Sequence, residues 1–123
     1  MLNYNSVIKN EIKQESISVK EISPVTKINL RGKKREFLTN VGKNLNMILP
    51  TEANTSTTSD KLTAIWLSPD EWMIISNELA SKDTNKSDLY EMLFNSISKT
   101  NLGAVIDVTD QFVQLELKGE NVY

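Results

Sequence analysis

Two pairs of neighbouring carboxylates are the residues whose types and spacing best suit acid–base chemistry. Asp70 and Glu71 are adjacent, and Asp107 and Asp110 lie close together further along the chain. Carboxylates that face one bound substrate can act as general acid and general base. Hydrogen bonds from nearby backbone amides explain Asp70 in a turn and Asp110 after a strand, because Asp is common in turns for that reason. Their spacing differs from that of a calcium-binding loop, and we interpret all four side chains as structural.

Two residue types that carry much of protein chemistry are missing, since the 123 residues include no His and no Cys. This removes Ser-His-Asp catalysis, thiolate nucleophiles, disulfides and most transition-metal sites. The four glycines are isolated from one another, so the sequence has no glycine-rich phosphate loop. We therefore expect no catalytic residue, no cofactor-binding residue and no metal ligand in this chain.

A cluster of basic residues, here called the basic loop, comprises Arg31, Lys33, Lys34 and Arg35. Such a cluster could bind a phosphate or an acidic partner surface. Sixteen acidic residues against fourteen basic ones give a formal charge of −2, which provides no long-range attraction for a polyanion. The nearest aromatic residue, Phe37, belongs to a helical apolar stripe and is not expected to stack on bases. We interpret the basic loop as solvated and expect no nucleic-acid partner.

The elements that position these residues follow from the period of the apolar side chains. Thr26, Ile28 and Leu30 alternate with polar residues, which predicts a half-buried strand whose wet face is formed by Lys27, Asn29 and Arg31. Apolar residues three or four apart predict a first helix over 35–46. The polar run 51–60 predicts an exposed loop.

The second half of the chain is predicted to form a hairpin, a helix and two closing strands. Short aromatic and branched runs at 62–67 and 72–75 predict a hairpin of buried strands joined by a type I turn at Ser68-Pro69-Asp70. Ser87 is the expected N-cap of a second helix that carries Leu89, Leu93 and Ile97. A buried run at 104–108 and an alternating strand at 113–117 close the sheet. The predicted fold class is α+β, a ferredoxin-like sandwich with an antiparallel or mixed sheet and both helices on one face.

Length and composition favour one globular domain over 17–123, preceded by a polar arm over 1–16. Val7, Ile8 and Ile12 give the arm a helical spacing, so a short amphipathic helix is possible there. The sequence has no secretion signal and no apolar run long enough to span a bilayer. We expect a cytoplasmic protein with no membrane contact.

The two tryptophans of the predicted hairpin have two interpretations. A Trp buries on the order of 200 Å² and can anchor a sheet through area alone. Trp is also frequent among the residues that dominate binding at protein interfaces. Different atoms of Trp66 and Trp72 could serve both purposes.

The stretch from Trp66 to Trp72, which reads Trp-Leu-Ser-Pro-Asp-Glu-Trp, resembles the Trp-Leu-Gly-Pro-Asp-Glu-Trp pattern of the gamma subunits of heterotetrameric sarcosine oxidases. Further stretches resemble that family in the same order, at Ile28–Gly32, Leu49–Thr55, Asp107–Asp110 and Leu115–Gly119. The residues that carry the resemblance and that could form an interface are Trp66, Leu67, Pro69, Asp70, Glu71, Trp72, Asp107, Asp110 and Gly119.

The resemblance implies an accessory, non-catalytic subunit of an oxidoreductase complex with alpha, beta and delta subunits as its partners. In that family the partner subunits hold FAD, FMN, NAD and zinc and bind tetrahydrofolate, while sarcosine is demethylated to glycine in sarcosine catabolism and one-carbon metabolism. The gamma-subunit fold is related to the folate-binding domains of aminomethyltransferases, in agreement with the α+β prediction.

Three departures from the family pattern stand out. Ser68 replaces a common Gly, which a type I turn tolerates. The basic loop is basic where the family is often neutral or acidic. The chain ends at Tyr123, where family members continue, so it resembles a shortened member or a fragment. Two alternatives stay open: a stand-alone folate-binding module, and a ferredoxin-like nucleic-acid-binding domain that uses the basic loop.

Overall fold

In the part of the chain that the structure describes, the strands form two antiparallel sheets, and two helices accompany them. The computed structural model describes residues 6, 12–14, 16–79 and 88–120. The strands are β1 (Ile12–Gln14), β2 (Ile17–Glu21), β3 (Val25–Arg31), β4 (Ser56–Thr58), β5 (Leu62–Ser68), β6 (Glu71–Leu79), β7 (Ala104–Asp107) and β8 (Leu115–Lys118). The helices are α1 (Arg35–Leu45) and α2 (Asp88–Leu93), and α2 continues into a π-helical turn at Phe94–Ser98.

The large sheet has the strand order β4-β5-β6-β3-β7, and every described pairing in it is antiparallel. Leaving β4 aside, the strands of this sheet and the two helices follow one another as strand, helix, strand, strand, helix, strand (β3, α1, β5, β6, α2, β7). Together with the spatial order β5-β6-β3-β7, this is the ferredoxin-like arrangement. The α+β prediction is therefore confirmed. The small sheet, with the order β1-β2-β8, was not predicted as a separate unit.

The core lies between one face of the large sheet and the two helices. Ile28, Leu30 and Ile74 are fully buried on the sheet side. They meet Phe37, Val41 and Leu45 of α1, and Leu93 and Ile97 of the second helical segment. Because these residues recur every two positions in β3 and every three or four in α1, one apolar face of each element is buried. No residue of the small sheet belongs to this cluster within the described part of the chain.

The first helix begins and ends close to its predicted bounds. The carbonyl oxygen of Lys34 accepts hydrogen bonds from the backbone N–H groups of Phe37 and Leu38 at 3.0 and 3.3 Å. At the other end Asn46 adopts a left-handed φ of 52°. The Met47 N–H then donates to the Gly42 carbonyl at 3.2 Å. A left-handed residue with such a closing bond is a common helix terminus.

Three parts of the sequence prediction are wrong. Lys27, assigned to a wet face, is only 4% exposed. The supposed loop 51–60 contains the short edge strand β4. The run 104–108 is buried only at Val105 and Val108, whereas Ala104 and Ile106 are exposed because they lie on the outer face of the edge strand β7.

The N-terminal prediction is tested only in part. Residues 12–14 form the strand β1, so they are extended and do not continue a helix. Most of the predicted arm lies outside the described residues, as does the predicted N-cap Ser87. No helix in the described ranges is both long and apolar enough to cross a membrane.

Candidate interaction surface

The β5–β6 hairpin places the two tryptophans in different environments. Trp66 and Trp72 are paired across the hairpin in register. Trp72 is 2% exposed and stacks on Phe37, with ring centroids 5.8 Å apart and an interplanar angle of 29°. Trp66 is half-buried and packs at the margin of the same core. The Trp72 ring is therefore a core anchor, and only Trp66 keeps part of its surface accessible.

The turn of the hairpin leaves apolar groups at its tip. Trp66 pairs with Trp72 and Ser68 with Glu71, so Leu67 is the extra residue of a bulge. Leu67 is 43% exposed, and Pro69 is exposed beside it. Asp70 is absent from the described residues with positive φ, which agrees with the predicted type I turn, because type II needs a positive φ at that position.

The carboxylates of the hairpin are hydrogen-bonded acceptors. The Glu71 carboxylate accepts from the Asn29 amide at 2.8 Å and from the Arg31 guanidinium at 3.1 Å. The Asn29 hydrogen bond, with help from Arg31 and against partial burial, holds the pKa of Glu71 below its ordinary value. Asp70 accepts from the Ser68 hydroxyl at 3.0 Å. Because the Asn29 and Arg31 donors hold Glu71 in its charged form, its carboxylate is poorly suited to act as a general acid.

The second carboxylate pair serves the turn after β7. Asp107 accepts hydrogen bonds from the backbone N–H and the hydroxyl of Thr109 at 3.0 and 2.6 Å. Asp110 is exposed in the following 3₁₀ turn. Asp107 and Glu71 lie on strands on opposite sides of β3, so the two pairs of carboxylates do not converge on one site. The described residues contain no group of three or more acidic side chains that could hold a metal ion.

The basic loop is adjacent to the carboxylates of the hairpin. Arg31 forms an ion pair with Glu71 at 3.1 Å, and Lys33 lies 3.9 Å from Asp70. Lys34 and Arg35 are exposed at the start of α1. Two of the four positive charges therefore lie beside two negative charges, which weakens any local field that would attract a polyanion.

Lys27 is a buried cation that the sequence prediction placed in solvent. Its ammonium group donates to the Val25 carbonyl at 3.3 Å. Its backbone N–H donates to the Thr109 hydroxyl at 3.0 Å, and its carbonyl accepts from the Val108 N–H at 2.9 Å. Burial lowers the pKa of Lys27, and the charge of Asp110 partly opposes that shift. The turn that follows β7 thus pairs with the backbone of β3 at Lys27, and it places Asp110 close enough for its charge to act on the ammonium group.

Exposed large apolar side chains are concentrated in one part of the sequence, here called the C-terminal apolar segment. Its members are exposed by 44 to 61% and are Ile106, Phe112, Val113, Leu115 and Leu117. Most apolar residues of that size are buried in a folded domain, so this segment is the candidate for an interaction surface. Sequence reasoning found the alternation of Val113, Leu115 and Leu117 but not their exposure.

Gly119 closes the small sheet, which gives a structural reason for one residue of the family-like pattern. Its φ is 143°, in a region that L residues rarely adopt. A Cβ atom at this position would lie 1.8 Å from the carbonyl oxygen of Ser16. Gly119 therefore allows the end of β8 to approach the start of β2.

Comparison with known proteins identifies a related fold. No protein-family model matches the chain, and no curated protein matches its sequence significantly. Among solved structures, the fold is similar to a chain of the heterotetrameric sarcosine oxidase from Corynebacterium sp. U-96 in complex with pyrrole 2-carboxylate, with a TM-score of 0.71 and 20% sequence identity. The match covers 89% of this chain and 53% of that chain, so this chain spans about half the length of its structural neighbour. At this identity the likeness establishes the fold.

Proposed function

We propose that the protein is a non-catalytic accessory subunit of a heterotetrameric sarcosine oxidase, in the position of the gamma subunit. The observation that carries the proposal is the similarity of 89% of the chain to a chain of such an enzyme. The coverage values make that chain less than twice as long as this one. That length suits a small subunit better than a large flavoprotein subunit, which supports the gamma position. The family-like stretch from Trp66 to Trp72 supports the same position.

The proposed role is assembly, with the chemistry carried out by partners. The alpha, beta and delta subunits would hold FAD, FMN, NAD and zinc, bind tetrahydrofolate and oxidise sarcosine. In this chain Glu71, Asp70 and Asp107 each accept hydrogen bonds from neighbouring groups. With these carboxylates engaged locally and with no His or Cys in the sequence, the residues support a binding role better than a catalytic one.

The surface proposed for docking to the partner subunits is the C-terminal apolar segment. Its exposed side chains, among them Phe112 at 52% and Leu117 at 61%, can bury apolar area that the domain itself leaves in water. Aromatic and aliphatic anchors at the centre of an interface typically dominate binding energy. The exposed Leu67 at the tip of the hairpin is a separate and smaller apolar group.

Co-expression with the alpha, beta and delta subunits from the same organism tests the proposal. We expect an affinity tag on this chain to capture all three, and the captured complex to produce peroxide when sarcosine is added. The isolated chain should show no flavin absorbance and no sarcosine-dependent peroxide. Absence of the three subunits from the captured material would overturn the proposal.

A matched pair of surface variants tests the docking surface. Phe112→Lys places a charge in the C-terminal apolar segment and should weaken capture by about tenfold or more, because burying an unpaired charge is costly. Ile48→Lys is the control, since Ile48 is 84% exposed next to α1 and lies outside that segment. Equal capture of both variants would show that the subunits dock elsewhere.

A further inference from the structure

The outer edge of β8 has backbone groups that face away from the small sheet. β8 pairs with β2 in the register Lys20↔Glu116 and Val19↔Leu117. In the same register Ile22 faces Gln114, and the Ile22 N–H donates to the Gln114 carbonyl at 2.8 Å. Ile22 and Gln114 are therefore a hydrogen-bonded pair of this ladder. Because such pairs alternate, Glu116 and Lys118 direct their backbone groups toward β2. Leu115 and Leu117 therefore direct theirs away from β2.

This edge lacks two of the features that commonly protect the edge of a sheet, Pro and a bulge, although β8 is short and carries charged side chains. The four residues of β8 include no Pro, and their pairing with β2 has no register shift. Within the described residues β8 has β2 as its only strand partner. Leu117, the most exposed side chain of the C-terminal apolar segment, lies in the middle of this edge.

We propose that β8 pairs antiparallel with β8 of a second copy of this chain, about a two-fold axis through Leu117. Leu117 then lies opposite Leu117 of the second copy, and both direct their backbone N–H and C=O groups into the new ladder. The register also places Glu116 of each copy opposite Lys118 of the other. Two cross-strand pairs of opposite charge therefore form on one face, while the leucines meet on the other.

Charge complementarity selects this register over its nearest competitor. An axis through Glu116 also satisfies the outward-directed backbone groups, because it pairs Leu115 with Leu117 of the second copy. It places Glu116 directly opposite Glu116, however, and like charges facing each other across strands are destabilising. The arrangement of Leu-Glu-Leu-Lys over 115–118 thus favours the axis at Leu117.

Self-pairing at this edge is independent of the proposed docking to other subunits. Edge pairing uses the backbone groups and the charged side chains of β8 and brings the two Leu117 side chains side by side, whereas docking would use the outward surface of the apolar side chains. Because the two-fold axis is perpendicular to the sheet, Leu115 and Leu117 of both copies stay on one common face. A chain that self-pairs could therefore still present its apolar side chains to a different partner.

A pair of charge variants tests the proposal on the full chain. Glu116→Lys gives a strand with two lysines, and Lys118→Glu gives a strand with two glutamates. Each variant alone opposes like charges at both pairs, and we expect its dimer dissociation constant to rise by about tenfold or more. An equimolar mixture restores opposite charges at both pairs. Sedimentation velocity should then find a dimer in the mixture where each variant alone is a monomer.

Cysteine variants test the register, since the chain has no native Cys. Facing Cα atoms in a hydrogen-bonded antiparallel pair lie about 5.5 Å apart, within the reach of a disulfide. Under mild oxidation Leu117→Cys should form a covalent dimer. Leu115→Cys, whose two copies lie apart in this register, is the control for random collision. Linkage of Glu116→Cys in place of Leu117→Cys would overturn the register.

Further outcomes distinguish self-pairing at β8 from the proposed role as an accessory subunit. A wild-type chain that stays monomeric at every concentration, with no Leu117→Cys linkage above the Leu115→Cys control, overturns self-pairing. Capture of the alpha, beta and delta subunits by that monomer would leave the accessory-subunit role intact. A dimer that captures no subunit would support self-pairing and contradict that role.

Discussion

The indole N–H of Trp72 donates a hydrogen bond to the carbonyl oxygen of Pro50 at 2.7 Å. This contact joins the β5–β6 hairpin to the segment that follows α1, at a point where Trp72 and Pro50 are both buried. Phe37 of α1 stacks on the same indole ring. One side chain therefore connects strand, helix and connecting segment, which explains the Trp at this position without any role in chemistry.

Trp72→Phe is expected to lower the free energy of unfolding by about 2–4 kcal/mol, because it leaves the buried Pro50 carbonyl unpaired and removes buried volume. Urea unfolding followed by far-UV circular dichroism measures the change. Trp66→Phe is the control, since Trp66 is only half-buried, and it should cost less than half as much. Equal losses at the two positions would contradict the central role of the Trp72 contact.

The Glu71 carboxylate should give the fold a pH-dependent contribution. Its pKa in the folded state lies below the ordinary value, chiefly because of the Asn29 hydrogen bond. The stabilisation is present above the unfolded-state pKa and is lost as pH falls through the folded-state pKa. Glu71→Gln should therefore be less stable than the wild type at about pH 7, and the difference should shrink below about pH 4.

The pH dependence is measured by urea unfolding across that range, with Glu52→Gln on the exposed loop as the matched control. We expect the control to follow the wild type at every pH. A difference between Glu71→Gln and the wild type that persisted unchanged in acid would show that the effect is not linked to the ionisation of Glu71.

Burial of the Lys27 ammonium group should make the fold less stable at neutral pH, in contrast to the stabilising effect expected of Glu71. Burial lowers its pKa, so the folded state binds this proton less readily than the unfolded chain. Stability should rise as pH increases through the folded-state pKa toward the unfolded value near about 10.4. Lys27→Met should thus be more stable than the wild type at about pH 7, with a gain that shrinks as the pH approaches about 10.

Denaturant midpoints at the two pH values check this expectation, and Lys43→Met on the exposed side of α1 is the control. The control should show no such gain at neutral pH. Loss of stability in Lys27→Met at neutral pH would indicate that the ammonium hydrogen bond to Val25 outweighs the burial of the charge.

Gly119→Ala should loosen the small sheet while leaving the core intact. The added Cβ atom would meet the Ser16 carbonyl, and the backbone at φ 143° is strained for Ala. Hydrogen exchange of the Lys20 and Glu116 amides, which face each other in the β2–β8 ladder, should accelerate by about tenfold or more. Amides of β3 and β6 should keep their protection. Uniform acceleration in both sheets would contradict the separation of the small sheet from the core.

Local periodicity predicted the elements that form the main core. The alternation at 26–31, the helical stripe at 35–46 and the Trp hairpin correspond to β3, α1 and the β5–β6 pair. β4 could not be predicted in this way, because its residues Ser56–Thr58 bury no face and therefore show no apolar period. The alternation at 113–117 predicted the strand β8 but not its sheet, since strand pairing depends on residues distant in sequence.

The candidate site was less predictable than the fold. Turn chemistry was predicted for Asp70, which accepts a hydrogen bond from Ser68, and for Asp110, whereas the carboxylate that accepts from Thr109 in the turn after β7 is that of Asp107. The position of Lys27 is set in part by contacts with Thr109, 82 residues further along the chain, and no local sequence pattern reports such contacts. The exposure of Leu115 and Leu117 could not be predicted either. An alternating pattern shows that a strand has two faces but not what covers each of them.

Co-purification with the alpha, beta and delta subunits tests the proposed accessory role most directly. The tagged wild-type chain and Ile48→Lys should both yield one complex that contains all four chains in equal amounts and oxidises sarcosine, whereas Phe112→Lys should recover about tenfold less of it or even less. Recovery of the tagged chain alone, under conditions in which the other three subunits are expressed and folded, would contradict the accessory role.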